Sequence, residues 1–200
     1  MVARTPDEVL DFWFAPAAPT AGDGGSPGAF PTRREWFHKD PAFDAVIRDR
    51  FGAVIAEALA GGLGDWCATA RGTLARVLVL DQFTRNAFRD TPTAFAGDAR
   101  ALATAKDAIA RGHDRVLAPV ERWFLYMPVQ HSESAEDQDR SVALFGALAR
   151  ETGLTEPVDW VERHAAVVRR FGRFPHRNAI LGRTSSAEET EFLRTPGSRF

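Results

Sequence analysis

The sequence holds a single cysteine, Cys67, in 200 residues. A lone thiol cannot close an internal disulfide and excludes any zinc site built on cysteine pairs, so the chain reads as one kept in a reducing compartment. Long apolar runs are also missing, for nothing approaches the roughly 20 residues that span a bilayer. The N-terminal stretch carries Asp7, Glu8 and Asp11 where an export signal has a basic start and an unbroken apolar centre. A cytoplasmic protein with no membrane partner is expected. Excess positive charge is lacking as well: 25 Lys and Arg against 27 Asp and Glu leave a formal charge of −2, whereas a general duplex binder is strongly basic. Nucleic acid is not an expected partner.

With 44% hydrophobic and 26% charged residues the composition is that of an ordinary globular chain. The only linker-like stretch, Ala15 to Pro31, lies too near the N-terminus to separate two cores, so one domain over 1–200 is expected with 15–31 as a Pro/Gly-rich loop. Thr5-Pro6-Asp7-Glu8 reads as a capped helix start. Asp40-Pro41 opens the most regular helix, with Phe43, Ile47, Phe51, Val54 and Ala58 recurring every three or four residues until Gly61-Gly62. Leu74 to Phe83 is apolar on nearly every side; its β-branched content would suit a strand, but no second strand exists to pair with it, and a buried helix is expected. Further helices are expected over Thr93 to Arg111, Pro119 to Met127 with Pro128 as the stop, Ser134 to Thr152, and Val158 to Phe171. A last one, capped by Ser185 with Glu188, should run to Arg194. The class is all-α, about eight helices in antiparallel pairs, packed as a bundle or stacked as a solenoid. No repeat of about 34 residues with the tetratricopeptide signature is visible.

Gly24-Gly25-Ser26-Pro27-Gly28 has the letters of a nucleophile elbow, but that turn needs a preceding strand and an amide hydrogen after the serine. Proline supplies neither. Three other stretches are polar where a helical protein is usually apolar. Asp81, Gln82, Arg85 and Asn86 end the most buried helix, and an aspartate there must be paired or neutral. His131 and Glu133 follow Pro128 in an expected turn that leads into Glu136, Asp137 and Asp139. From Arg163 to Arg183 there are six arginines, two histidines and no acid. Its centre, Arg170-Phe171-Gly172-Arg173-Phe174-Pro175-His176-Arg177-Asn178, alternates cations with rings that can hold guanidinium planes for carboxylate or phosphate. A structural alternative is that these arginines pair with the acidic turn at 133–139. His164, on the apolar face of its helix, reads first as a core histidine. Phe83-Thr84-Arg85-Asn86-Ala87-Phe88 and Phe174 to Ile180 also echo each other, each ending Arg-Asn-Ala-apolar.

Val9-Leu10-Asp11-Phe12-Trp13-Phe14, Leu80 to Asn86, His131-Ser132-Glu133 with Asp137-Gln138, and Arg170 to Asn178 running into Ile180-Leu181-Gly182-Arg183 together resemble one bacterial family, domain of unknown function 924. The likeness runs from Thr5 to the closing Pro196-Gly197-Ser198-Arg199-Phe200. It implies a tetratricopeptide-like fold of stacked antiparallel helices with a curved inner surface, and no assigned reaction. Thr84 departs from the family, which more often has proline there, and the glycine-rich loop at 22–28 is longer than the family leads one to expect.

Two functional readings follow. In one, Asp81, Gln82, Arg85, Asn86, Arg170, Arg173, Arg177 and Asn178 hold a small anionic metabolite while His131, Glu133 or His176 moves a proton. In the other, the same residues form a non-catalytic groove for a carboxylate-bearing peptide or protein partner. Neither reading calls for a cofactor. A metal site on His131, Glu133, His164 and His176 would have enough donors, but their spacing matches no known pattern.

Overall fold

The computed structural model describes residues 5–15 and 32–198. The Pro/Gly-rich loop from 16 to 31, with its Gly24–Gly28 segment, lies outside the described residues. Among the described residues every regular element is helical: α1 (Pro6–Phe14), α2 (Pro41–Leu59), α3 (Ala70–Val77), α4 (Thr84–Ala87), α5 (Asp98–Ala110), α6 (Pro119–Gln130), α7 (Ala135–Thr152), α8 (Val158–Phe171) and α9 (Ala187–Phe192), with short 3-10 turns between them. Counted with α3 and α4 as the two ends of one continuous helix, this makes the eight that periodicity predicts.

The caps explain most of the boundaries. Thr5 and Glu8 bond each other's amides at the start of α1, and Asp40 accepts from the Ala42 and Phe43 amides at the start of α2. At α9 the capping box is one residue later than expected, Ser186 with Glu189, because Ser185 is engaged by the Asn178 amide instead; the helix stops at Phe192 rather than Arg194. Pro128 does not end α6, which runs through it to Gln130 with His131 as C-cap. Proline removes one hydrogen bond and crowds the preceding turn, but the helix end beyond it is held from outside: the Gln138 side chain donates to the carbonyls of Gln130 (2.7 Å) and Ser132 (2.6 Å).

Between α3 and α4 the chain winds as a π-helix over Leu78–Phe83. Three successive carbonyls of this segment each take a side-chain donor from four residues on: Thr84 to Leu80 (2.8 Å), Arg85 to Asp81 (2.8 Å) and Asn86 to Gln82 (2.9 Å). These donors satisfy carbonyls that the wider i→i+5 ladder leaves underused. Thr84 is thus a participant. The segment is buried throughout. Against Leu80 sits Gly97, the residue before α5, where a Cβ would stand 2.0 Å from the Leu80 carbonyl oxygen. That close approach brings Asp98 and Phe95 up to the π-helical turn.

The core is aromatic on one side. Trp13, fully buried on α1, meets Phe83 and Phe124 at ring-centroid distances of 5.6 and 5.5 Å. The last-turn carbonyls of α1, which no helical amide can reach, are taken by the segment that follows the undescribed stretch: Arg33 donates to Phe12 (2.8 Å) and the Trp36 indole to Trp13 (3.0 Å). This fastens Trp36 and Phe37 beside α6. α6, α7 and α8 pack side by side in chain order.

Candidate functional site

The end of the π-helical segment, the C-terminus of α6, α8 and the Pro175–Arg177 turn enclose a cavity of about 440 Å3. Its floor is polar and its walls are aromatic. Behind the floor lies Asp81, 0% exposed. One of its oxygens, Oδ1, is 2.8 Å from His131 Nδ1 and 3.0 Å from Arg85 Nη1, while Oδ2 accepts from the Gln82 amide at 2.6 Å. Burial opposes charge on Asp81, but Arg85 and then His131 and Gln82 outweigh it and hold the carboxyl well below the ordinary carboxylate range. An ionised carboxylate only accepts hydrogen bonds. The hydrogen on His131 is therefore on Nδ1, and Nε2 is left with its lone pair to meet whatever enters the cavity that His131 lines. Burial pushes the His131 imidazole below its usual value, against the pull of Asp81, so the ring is neutral at neutral pH.

Arg85 is fully committed, bonding Asp81 and both oxygens of Asp98 at 2.8 and 3.0 Å. Arg177 is not. Its one ion-pair contact among the described residues is Asp98 Oδ2 at 3.5 Å, and its Nε has no hydrogen-bond partner. Instead its guanidinium lies over Phe174 at 4.5 Å and Phe95 at 5.1 Å. Burial, and then the neighbouring Arg85, lower its pKa to about 10. It remains a cation, held by two rings and without a close carboxylate partner.

Further rings continue the floor. His164 is 6.3 Å from His131 and 5.4 Å from Phe174, and Phe174 is 5.6 Å from His176. Burial first, then neighbouring positive charge, lowers His164 to about 3 and His176 to about 4. His164 Nδ1 is 2.7 Å from the Trp160 carbonyl, which can only accept, so that nitrogen also bears its hydrogen. The Gln130 amide nitrogen, placed 3.2 Å from the same Nδ1, would set donor against donor. Turning the amide over puts its oxygen there and its NH2 where Oε1, buried and unbonded, now stands. Either way one polar atom of Gln130 is unbonded.

The arginine block divides. Arg183 grips Glu133 with two bonds of 2.6 and 2.9 Å, and the Phe174 amide adds a third; these outweigh burial and lower the Glu133 pKa. Arg169 meets Asp139 at 2.6 Å. This much is the structural pairing with the acidic turn. Arg173 binds Glu189 through two bonds and Arg170 binds Glu188, both on α9, partners supplied from beyond the block. Of the residues singled out by sequence, Gln82, Arg85, Asn86, His131, His164, His176 and Arg177 line the cavity with Asp81 behind them; Glu133, Arg170, Arg173 and Asn178 are not among its lining residues. Asn86 is itself held, donating to Gln82 and accepting from Arg89. Among the described residues no group of three His, Cys, Asp or Glu side chains is placed to hold a metal ion, and Glu133 is engaged by Arg183.

Sequence reasoning missed Asp98, Phe95 and Gln130, and the aromatic walls Trp36, Phe37, Trp123 and Trp160. Asp98 looks like an ordinary acid in the first turn of a helix. A signal for it existed in the echo between the two Arg-Asn-Ala peptides, since Arg85 and Arg177 converge on Asp98 and both lie over Phe95.

No described helix is long and apolar enough to cross a membrane. A family model described as bacterial protein of unknown function, domain of unknown function 924, matches residues 9–197. The solved structure of a protein of unknown function from Agrobacterium tumefaciens is similar at 38% identity and a TM-score of 0.79, over 94% of this chain and 96% of that one. No curated protein matches.

Proposed function

The chain belongs to that bacterial family of unknown function, and from its geometry we propose that it binds a small anionic metabolite on Arg177 and moves a proton to or from it through His131. One observation carries the reading: a neutral imidazole, oriented by a buried carboxylate, shares a single cavity with a buried guanidinium that lacks a close counter-ion. The Asp81–His131 pair has the form used to orient a general base, in which the carboxylate fixes the tautomer and steadies the imidazolium that forms on proton uptake. Arg177 supplies an anion clamp whose planar fork is preorganised by stacking. A concave site of about 440 Å3 is of a size that suits a small molecule.

The test is thermal unfolding with phosphate, sulfate or a dicarboxylate. A ligand bound only by the folded state must raise the melting temperature saturably, and the Arg177→Lys protein at equal salt controls for general anion exclusion. Saturable stabilisation of the wild type that the variant loses is expected. Equal stabilisation of both proteins at every concentration would remove the binding reading.

A further inference from the structure

Resting on that anion reading, we infer that the ligand is a planar aromatic carboxylate, its single negative charge on Arg177 and its ring against the tryptophan wall. The head group is read from the floor. Arg85, Arg89 and Lys39 all have carboxylate partners at 2.7–2.8 Å, so Arg177 is the one lining cation among them left with a long, shared contact. Carboxylates match these cations in number, Asp44, Asp81, Asp90 and Asp98 against four, so what Arg177 lacks is a close partner, and its fork can take one carboxylate.

The rest of the ligand follows from volume and lining. A carboxylate head fills only a small part of 440 Å3, a size within the roughly 300–1,000 Å3 that encloses whole drug-sized molecules. What remains faces Trp36, Phe37, Trp123, Trp160 and Phe95. Phe37 stacks on Trp123 at 5.2 Å and 20°, a parallel pair whose outer face can accept another flat ring. Phe37 and Trp160 are 50% and 48% exposed. Arg163 lies over the Trp160 ring at 5.4 Å, so this exposed indole is braced. Large aromatics held half-open at the mouth of a cavity with a cationic floor make an amphipathic receptor, apolar wall and charged end together.

Calorimetric titration of the intact protein with 2-naphthoate, its saturated counterpart decahydronaphthalene-2-carboxylate and acetate separates the parts. Naphthoate should bind about tenfold or more tightly than the saturated acid of equal carbon count, the increment expected for ring stacking, and should change tryptophan fluorescence on binding. Trp160→Ala, and independently Phe37→Leu, should weaken naphthoate about tenfold while leaving acetate unchanged; Arg177→Lys should weaken all three. If naphthoate and the saturated acid bind alike, or both aromatic-site variants bind naphthoate as the wild type does, the aromatic assignment is overturned and the anion reading stands. If none of the three binds, or Arg177→Lys leaves all affinities unchanged, both fall together.

Discussion

Asp81 does two tasks with one side chain. Its Oδ1 serves Arg85 and orients His131, and Oδ2 receives Gln82. Asp81→Asn leaves Arg85 with Asp98 as its one carboxylate partner and offers His131 an amide in place of a carboxylate. Breaking a buried pair from one side costs about 3–5 kcal/mol, so the variant should unfold at distinctly lower urea concentration. The tautomer gives a separate readout. In wild-type protein, long-range proton–nitrogen spectra of labelled imidazole should show His131 protonated on Nδ1, and in Asp81→Asn that preference should be lost. A wild-type ring protonated on Nε2 would contradict the proposed orientation. Asp81 and His131 were both visible as anomalies in the sequence, because a carboxylate among apolar residues has to be answered by something. Nothing in the chain order says that the answer lies fifty residues away.

At the level of elements, the π-helical turn and Gly97 form a lock. Gly97 has an ordinary negative φ of −87°, so its backbone would accept alanine, and the obstacle is purely the Leu80 carbonyl. Gly97→Ala should cost about 3 kcal/mol, the upper range of overpacking, and should raise anion affinity, because drawing Asp98 away removes the carboxylate that Arg85 and Arg177 share. Gly153→Ala is the comparison: φ is +79° there with open space around it, so only backbone strain of about 1–2 kcal/mol applies. Equal effects in the two variants, or anion binding unchanged in Gly97→Ala, would show that the approach to Leu80 does not set the site. Helices α2, α7 and α8 were legible because their apolar periodicity and caps agree. The π-helical segment was not, since π and α turns draw on the same residues and differ in whether a backbone amide bonds the carbonyl five or four residues back. Pro128 misled for a related reason: local chemistry says stop, and Gln138, eight residues past Gln130, lets the helix continue.

For the whole molecule, the buried histidines set a limit on acid tolerance. His164, at about 3, and His176, at about 4, sit below the 6.5 of a free imidazole, and His131 is lowered in the same direction. Between about pH 4 and 6.5 the unfolded chain binds protons that the folded chain refuses, so stability is lost as pH falls through that window. For a histidine as buried as His164 the slope is about 1.4 kcal/mol per pH unit. Urea unfolding from about pH 7 down to about pH 5 should show this decline, with the slope in His164→Asn reduced by about one proton; an unchanged slope would mean that His164 is not the group that refuses its proton. The sequence announced cations in excess at 163–183 without saying which would be left over, because Glu188 and Glu189 come only afterwards and Asp98 seventy-nine residues before Arg177. That shared aspartate has a consequence for descent. Position 98 answers to 85 and 177 at once, so loss of either arginine leaves the other paired, but only exchange of Arg85 would spare the proposed anion clamp. A change at 98 throws Arg85 wholly onto Asp81 and leaves Arg177 with aromatic faces alone. Among natural variants of this chain the aspartate should not vary before Arg85, and where it is gone, the environment of Arg177 should have changed with it.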